Sequence, residues 1–190
     1  MKYFLIITLG ISFVTAQIPL PEHPRPDFKR PQWINLNGTW DFKFDPNDIG
    51  VSNNWFNSKT KFEKQINVPF PWGSKLSKLK DEADIGWYKR NINVPENWKS
   101  KKTYLTVGAS DWETSIWLDG IFIGSHQGGY VPFSFDLTPF LKHGRSQNLV
   151  IRVDDDAGDP RKFKRGYALY GKQGYGNARG IWQTVYLEAR

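Results

Sequence analysis

TSIWLDGIFIGSHQGGYVPFSFDLT, residues Thr114–Thr138, is the stretch that decides the fold of this 190-residue chain. Two runs within it, Thr114–Leu118 and Ile121–Ser125, alternate apolar and polar residues around the dipeptide Asp119-Gly120. Both central residues of a type I′ turn need a positive φ, which Asp-Gly tolerates, so the pattern predicts a tight β-hairpin. A glycine-rich turn and another strand-like run follow. The stretch therefore predicts an antiparallel β-domain.

Strand-like runs recur along the rest of the chain, and no apolar pattern of helical period persists beyond a turn or two. The predicted strands are Thr39–Phe44, Gly86–Val94, Thr103–Gly108, Thr114–Leu118, Ile121–Ser125, Phe133–Leu137, Asn148–Asp154 and Ile181–Glu188. Many short strands separated by turn signals are typical of an all-β antiparallel sandwich or jelly roll.

The sequence divides into three segments. Residues 1–16 have the pattern of a secretory signal peptide, with Lys2 before an apolar core and small residues before Gln17, which predicts export to the periplasm or the outside of the cell. A retained anchor is the alternative, although no second apolar segment of spanning length follows. Residues 17–35 are proline-rich and predict an extended arm. Residues 36–190 form the predicted sandwich, and because the chain stops directly after a predicted strand, we expect it to be one domain of a longer protein.

Composition narrows the classes of function. The net charge of +7 permits an anionic partner such as nucleic acid, but no nucleic-acid motif accompanies the lysine and arginine clusters, so we expect solvated loops and no nucleic-acid binding. Aromatic residues make up 16% of the chain, which suits either sugar platforms or a sandwich core. We expect core or sheet-facing positions for Trp40, Trp87, Trp117 and Trp182, since each lies in a strand-like run. The absence of cysteine excludes disulfides and thiolate metal sites.

No catalytic or cofactor pattern stands out from the residues themselves. The aspartates at Asp154–Asp156 and Asp159 lack the spacing of a calcium loop and predict a turn after a strand. The three histidines have no partner at metal-ligand spacing, so no metal and no cofactor is expected. Asn37-Gly38-Thr39 fits the N-glycosylation pattern, but a tight turn into the next strand is the favoured interpretation.

Several motifs in this order resemble the N-terminal domain of glycoside hydrolase family 2, the family of β-galactosidases, β-glucuronidases and β-mannosidases. The matching pieces are LNGTWDFKFD (Leu36–Asp45), VPFPWGS (Val68–Ser74), GWYKR (Gly86–Arg90), the segment Gly108–Thr138, and GKQGYGNARGIWQTVYLE (Gly171–Glu188). The resemblance covers nearly all of the chain after residue 35. It implies a jelly-roll sandwich of the galactose-binding type, usually called the sugar-binding domain of the family.

The resemblance also implies which domain carries out catalysis and which residues contact the sugar. Relatives carry an immunoglobulin-like domain and a TIM barrel, whose two glutamates perform retaining hydrolysis, and these two domains are the expected partners within one enzyme. No catalytic residue carries over to this chain, which is expected to be inactive alone. Loops of the domain reach the active-site rim in some relatives. The matching positions, which are the predicted carbohydrate-binding residues, are Lys172, Gln173, Tyr175, Asn177, Arg179, Asp111 and Trp112.

The expected function is therefore that of a non-catalytic carbohydrate-binding domain of an exported glycoside hydrolase. A stand-alone, secreted, lectin-like binder of glycans is the alternative, because many jelly rolls bind sugars.

Overall fold

The computed structural model describes residues 17–80, 82–155 and 178–190, and these residues form an antiparallel β-sandwich, as predicted. The described strands are β1 (Trp33–Asn35), β2 (Gly38–Phe44), β3 (Lys64–Val68), β4 (Ile85–Asn93), β5 (Thr103–Val107), β6 (Ser110–Asp111), β7 (Glu113–Leu118), β8 (Ile121–Gln127), β9 (Phe133–Asp136), β10 (Ser146–Asp154), β11 (Gly180–Ile181) and β12 (Val185–Ala189). Short 3₁₀ turns lie at Pro26–Phe28, Glu96–Trp98 and Thr138–Phe140.

Two large sheets and one small sheet make up this part of the chain. The six-stranded sheet has the order β3-β2-β4-β10-β7-β8, and the four-stranded sheet has the order β1-β12-β5-β9. The third sheet is the short pair β6 and β11. Strands distant in sequence are neighbours in every sheet, so the sandwich closes only when the last strand joins β1 and β5.

The alternation of side chains along the strands supplies two apolar layers. Tyr88 faces the main core between the sheets, whereas Trp87 faces the outer side of the six-stranded sheet and packs with Trp117 and Val150. Residues of the loop after β2, including Trp55 and Phe56, cover this outer cluster. The central strand β10 is consequently buried on both faces.

The predicted hairpin is present and joins β7 to β8. Asp119 and Gly120 have φ angles of 50° and 82°, the positive values that a type I′ turn requires. Trp117 lies opposite Phe122, and a register shift follows between Ile116 and Trp117.

The end of the chain departs from the predicted strand Ile181–Glu188. The structure divides it into β11 and β12, because the backbone N–H groups of Trp182 and Gln183 both turn to the carbonyl of Ala109, at 3.2 and 3.3 Å. Trp182, predicted to lie in a strand, instead lies in this partly exposed break. Trp40, Trp87 and Trp117 are buried, as expected.

The segment predicted as an arm is tied to the four-stranded sheet, and its last residues are strand β1. His23 is only 5% exposed and packs edge-on against Trp33 and Tyr186. Its Nε2 lies 3.5 Å from Oε1 of the buried Glu188, whose other oxygen accepts from Arg30 at 2.8 Å. These contacts depend on the folded sheet, so proline content alone did not reveal them.

Asn37, the asparagine of the glycosylation pattern, is only 1% exposed. Its side-chain nitrogen donates to the Pro19 carbonyl and the Thr184 hydroxyl, at 3.0 and 3.2 Å. Its oxygen accepts from the Val185 N–H at 3.0 Å, and Gly38 turns the chain into β2 with a φ of 107°. The amide therefore joins the arm, β2 and β12, in keeping with the turn that the sequence favours.

Candidate functional site

One end of the sandwich is built around the short pair of β6 and β11. Asp111 lies opposite Gly180 and Ser110 lies opposite Ile181 in this pair. Gly180 has a φ of 78°, and a Cβ at this position would overlap the Trp72 ring and the Tyr88 hydroxyl. Only glycine therefore lets the chain pass between these rings and reach β6.

The Tyr88 hydroxyl fixes the direction of β11. It accepts a hydrogen bond from the Ile181 N–H at 3.1 Å, and its side chain is completely buried. Burial raises the pKa of Tyr88, and the single backbone hydrogen bond opposes this only in part. The phenol consequently stays neutral and acts as a positioning group beneath the site.

Asp111 and Trp112 lie against the turn that follows β8. The Asp111 side chain is 4% exposed, and a Cβ on Gly129 would lie 2.8 Å from its carboxylate, so the glycine permits this close approach. The Trp112 carbonyl accepts from the Gly128 N–H at 3.2 Å, and the peptide bond between Asp111 and Trp112 is cis. The two predicted residues thus hold the Gly128-Gly129 turn in place.

Two aromatic side chains form the exposed edge of this end. Trp182 donates from Nε1 to the Gly129 carbonyl at 2.8 Å, which fixes the indole ring. The Tyr130 ring meets it edge-on, with ring centroids 6.1 Å apart, and Tyr130 is 62% exposed. A ring that is held by its neighbours and open to solvent can stack on the apolar face of a sugar.

Arg179 precedes β11 and is anchored by carboxylates. Its Nη1 lies 2.5 Å from Asp84 Oδ1, its Nε lies 3.6 Å from Asp155 Oδ2, and only 14% of its side chain is exposed. Its backbone also bridges to Trp72 in antiparallel fashion. The arrangement fixes the residue that leads into β11.

The structure thus brings together three of the predicted carbohydrate-binding residues, Arg179, Asp111 and Trp112, at one end of the sandwich. The other four, Lys172, Gln173, Tyr175 and Asn177, lie outside the described residues. Sequence reasoning did not select Tyr130 or Trp182 for this site. The consecutive glycines Gly128 and Gly129 were the sequence signal for Tyr130. Such a pair marks a turn, and other side chains can pack closely against its backbone.

Within the described ranges, no group of three histidine, aspartate or glutamate side chains has the arrangement to hold a metal ion. The same residues include no helix long and apolar enough to span a membrane.

Comparison with known proteins gives a consistent match. Residues 34–188 match the family described as "Glycosyl hydrolases family 2, sugar binding domain". The chain is 29% identical over 161 residues to a β-galactosidase of Thermoanaerobacter pseudethanolicus, covering 80% of this chain and 20% of that protein. It is 28% identical over 123 residues to a β-glucuronidase of Paenibacillus borealis, covering 64% of this chain and 21% of that protein. The chain therefore spans about a fifth of the length of these relatives.

The fold is shared with solved structures. The β-glucuronidase of Ruminococcus gnavus in complex with D-glucaro 1,5-lactone matches with a TM-score of 0.67 at 22% identity, covering 83% of this chain and 29% of that chain. The same enzyme without ligand gives a TM-score of 0.66 at 23% identity.

Proposed function

We propose that this chain is the non-catalytic carbohydrate-binding domain of a larger glycoside hydrolase. The chain belongs to the family described as the sugar binding domain of glycosyl hydrolases family 2. The larger enzyme would act on β-glycosides, the class named by its β-galactosidase and β-glucuronidase relatives. The proposed partners of the domain are a carbohydrate and the immunoglobulin-like and barrel domains of the same enzyme.

The observation that carries the proposal is the pairing of β6 with β11. It places Asp111, which precedes Trp112, opposite Gly180, which follows Arg179, although the two stretches are far apart in sequence. Sugar sites combine an apolar surface with a few directed polar groups, and this end of the sandwich has the exposed Tyr130 ring beside fixed backbone turns. Its position among the loops suits a surface that is completed by a neighbouring domain.

The roles within the proposed site differ from residue to residue. Arg179 and Asp111 are mostly buried, so we assign them to holding the loop ends in place. Direct contact is assigned to the Tyr130 ring and to the polar side chains of Lys172, Gln173, Tyr175 and Asn177, which can hydrogen-bond sugar hydroxyls. Export through residues 1–16 belongs to the same proposal, and mass spectrometry of secreted protein beginning at Gln17 would support it.

The proposal is tested by titrating galactose and glucuronate into isotope-labelled 190-residue protein. We expect chemical shift changes at Trp112, Tyr130 and the Trp182 indole N–H. Tyr130→Ala should weaken binding by about five-fold, the effect of losing one stacking ring. Phe28→Ala is the matched control, because Phe28 is also 62% exposed but lies on the arm.

A different pattern of shifts would contradict the proposal. Changes confined to lysine-rich surfaces and weakening with added salt would indicate electrostatic association. No change at this end of the sandwich with either sugar would also count against it.

A further inference from the structure

A groove lies on the outer face of the six-stranded sheet, between the loop after β2 and the β7–β8 hairpin. Its volume is about 660 Å³, and its walls include Asp48, Val51, Glu113 and Phe122, with Arg152 among the residues that line it. The loop wall is fixed because the buried Asp45 carboxylate accepts from the backbone N–H groups of Ile49 and Gly50, at 2.9 and 2.8 Å. These residues are separate from β6, β11 and the Gly128–Tyr130 turn.

Arg152 carries an unusual arrangement of hydrogen bonds. Its side chain is 7% exposed, and its Nη2 donates to Asp48 Oδ1 at 2.6 Å and to Asp154 Oδ2 at 3.0 Å. Its Nε is buried and has no hydrogen-bond partner among the described residues. A buried N–H without a partner costs free energy, so the protein does not satisfy all the donors of this guanidinium.

The distance between Arg152 and Glu113 indicates what kind of group fits. Arg152 Nη1 lies 4.0 Å from Glu113 Oε1, which is too long for a direct hydrogen bond. A single hydroxyl between them can accept from Nη1 and donate to Oε1, because a hydroxyl both donates and accepts. The other Glu113 oxygen accepts from Gln127 at 2.7 Å, which fixes the carboxylate.

An apolar surface borders these polar groups. The Phe122 ring is 53% exposed and Val51 is 49% exposed. Behind Phe122, the Trp117 ring lies 5.5 Å away between centroids, and Phe56 stacks on Trp117 at 5.4 Å with an interplanar angle of 8°. The exposed ring is therefore backed by a packed aromatic layer and suits stacking on a flat apolar face.

The charges select against anionic ligands. The Arg152 guanidinium lies next to three carboxylates, those of Asp48, Asp154 and Glu113. An anionic group placed in the groove is repelled by the carboxylates, which outnumber the single guanidinium. A neutral ligand with hydroxyls and one apolar face avoids this repulsion.

We propose that this groove is a second carbohydrate site, which binds a neutral pyranose of a glycan. The apolar face of the ring stacks on Phe122, and one hydroxyl bridges Arg152 and Glu113. The site is distinct from the one at the end of the sandwich and does not depend on the catalytic role of any other domain. It would let this domain hold a glycan at a distance from the loops.

The test uses the isotope-labelled 190-residue protein and three neutral probes, the methyl β-glycosides of galactose, glucose and mannose, with methyl β-glucuronide as the charged counterpart. We expect at least one neutral glycoside to shift the Phe122 ring and Arg152 Nε–H signals, with a dissociation constant in the millimolar range, and the glucuronide to bind these residues several-fold more weakly. Phe122→Ala should weaken the neutral binding by about five-fold. Ile121→Ala is the matched control, since the neighbouring Ile121 is 52% exposed and does not line the groove.

Three outcomes would overturn the inference. The first is that none of the neutral glycosides shifts the groove signals. The second is that the glucuronide binds there as well as the neutral probes. The third is concentration-dependent broadening of the Phe122 signals without sugar, which would mean that a second copy of the chain occupies the groove. Shifts at Tyr130 and Trp182 alone would overturn the second site while supporting the proposed function, so the two failures are distinguishable.

Discussion

At the scale of single residues, Asp119 adopts the backbone conformation of the hairpin turn, and its carboxylate accepts hydrogen bonds from three donors. Its carboxylate accepts from Lys142 Nζ at 2.9 Å, from Gln147 Nε2 at 3.0 Å and from the Asn148 backbone N–H at 2.8 Å. Partial burial opposes its ionisation, but these hydrogen bonds outweigh burial and lower the pKa of Asp119. The hairpin turn is thereby attached to the beginning of β10.

Asp119→Asn tests this charge while it keeps a residue that favours the same turn. Because the folded-state pKa is lowered, the charge contributes stability above the unfolded pKa of about 3.9, and this is lost as the pH falls through the folded pKa. We expect the variant to cost about 1 kcal/mol at neutral pH and less as the pH falls through the lowered pKa of the folded state. Urea unfolding of both proteins across this pH range measures the difference. A cost that stays constant with pH would mean that the charge is not responsible.

At the scale of elements, the short strand β11 depends on its first residue, Gly180, for its backbone conformation and packing. The positive φ of Gly180 is shared by Gly120 in the hairpin turn, at 78° and 82° respectively. The surroundings differ, because a Cβ on Gly180 would overlap the Trp72 ring and the Tyr88 hydroxyl, whereas a Cβ on Gly120 would meet no atom within 4 Å.

These two glycines give a matched pair of substitutions. Gly120→Ala is expected to cost about 1–2 kcal/mol, the penalty of a left-handed conformation for a residue with a Cβ. Gly180→Ala adds a steric overlap with buried rings, so we expect it to cost about 2 kcal/mol more. Equilibrium unfolding in urea compares the two. Equal losses would show that the contact with Trp72 and Tyr88 relaxes without cost.

At the scale of the whole molecule, the role proposed for the sandwich is binding, and glycoside cleavage is expected to need a further domain. Retaining hydrolysis needs two carboxyl groups about 5–5.5 Å apart on either side of the bond that breaks. The carboxylates of Asp84 and Asp155, at the candidate site, both pair with Arg179. Their ion pairs serve to anchor β11.

We therefore expect the 190-residue protein alone to hydrolyse no glycoside. Nitrophenyl β-galactoside, β-glucuronide and β-mannoside are suitable substrates, and release of nitrophenol is the measurement. The control is Asp111→Asn protein prepared identically, which reveals any contaminating hydrolase as a shared background rate. Turnover by the natural chain that Asp111→Asn abolishes would contradict the expectation.

The sequence by itself determined the class of fold and most of its strands, because these depend on local patterns. Alternating apolar residues and the Asp119-Gly120 turn predicted the hairpin, and its φ angles confirm this. Strand β3 was missed, as were the very short strands β1 and β6, and β11 was predicted as one strand with β12. A strand of two or three residues leaves almost no periodicity, and Lys64–Val68 alternates too briefly to stand out from its loop.

Only the tertiary structure decided how the sites are assembled. Asp111 meets Gly180 and Trp182 meets Gly129 across more than fifty residues of sequence, through pairing and hydrogen bonds that exist only after the sheets have packed. The groove beside Arg152 likewise depends on Asp48, Glu113 and Phe122 coming from three separate elements. Local sequence patterns encode the period of a strand. The distances between strands are set by the packing of the whole core, and the geometry of a binding site depends on those distances.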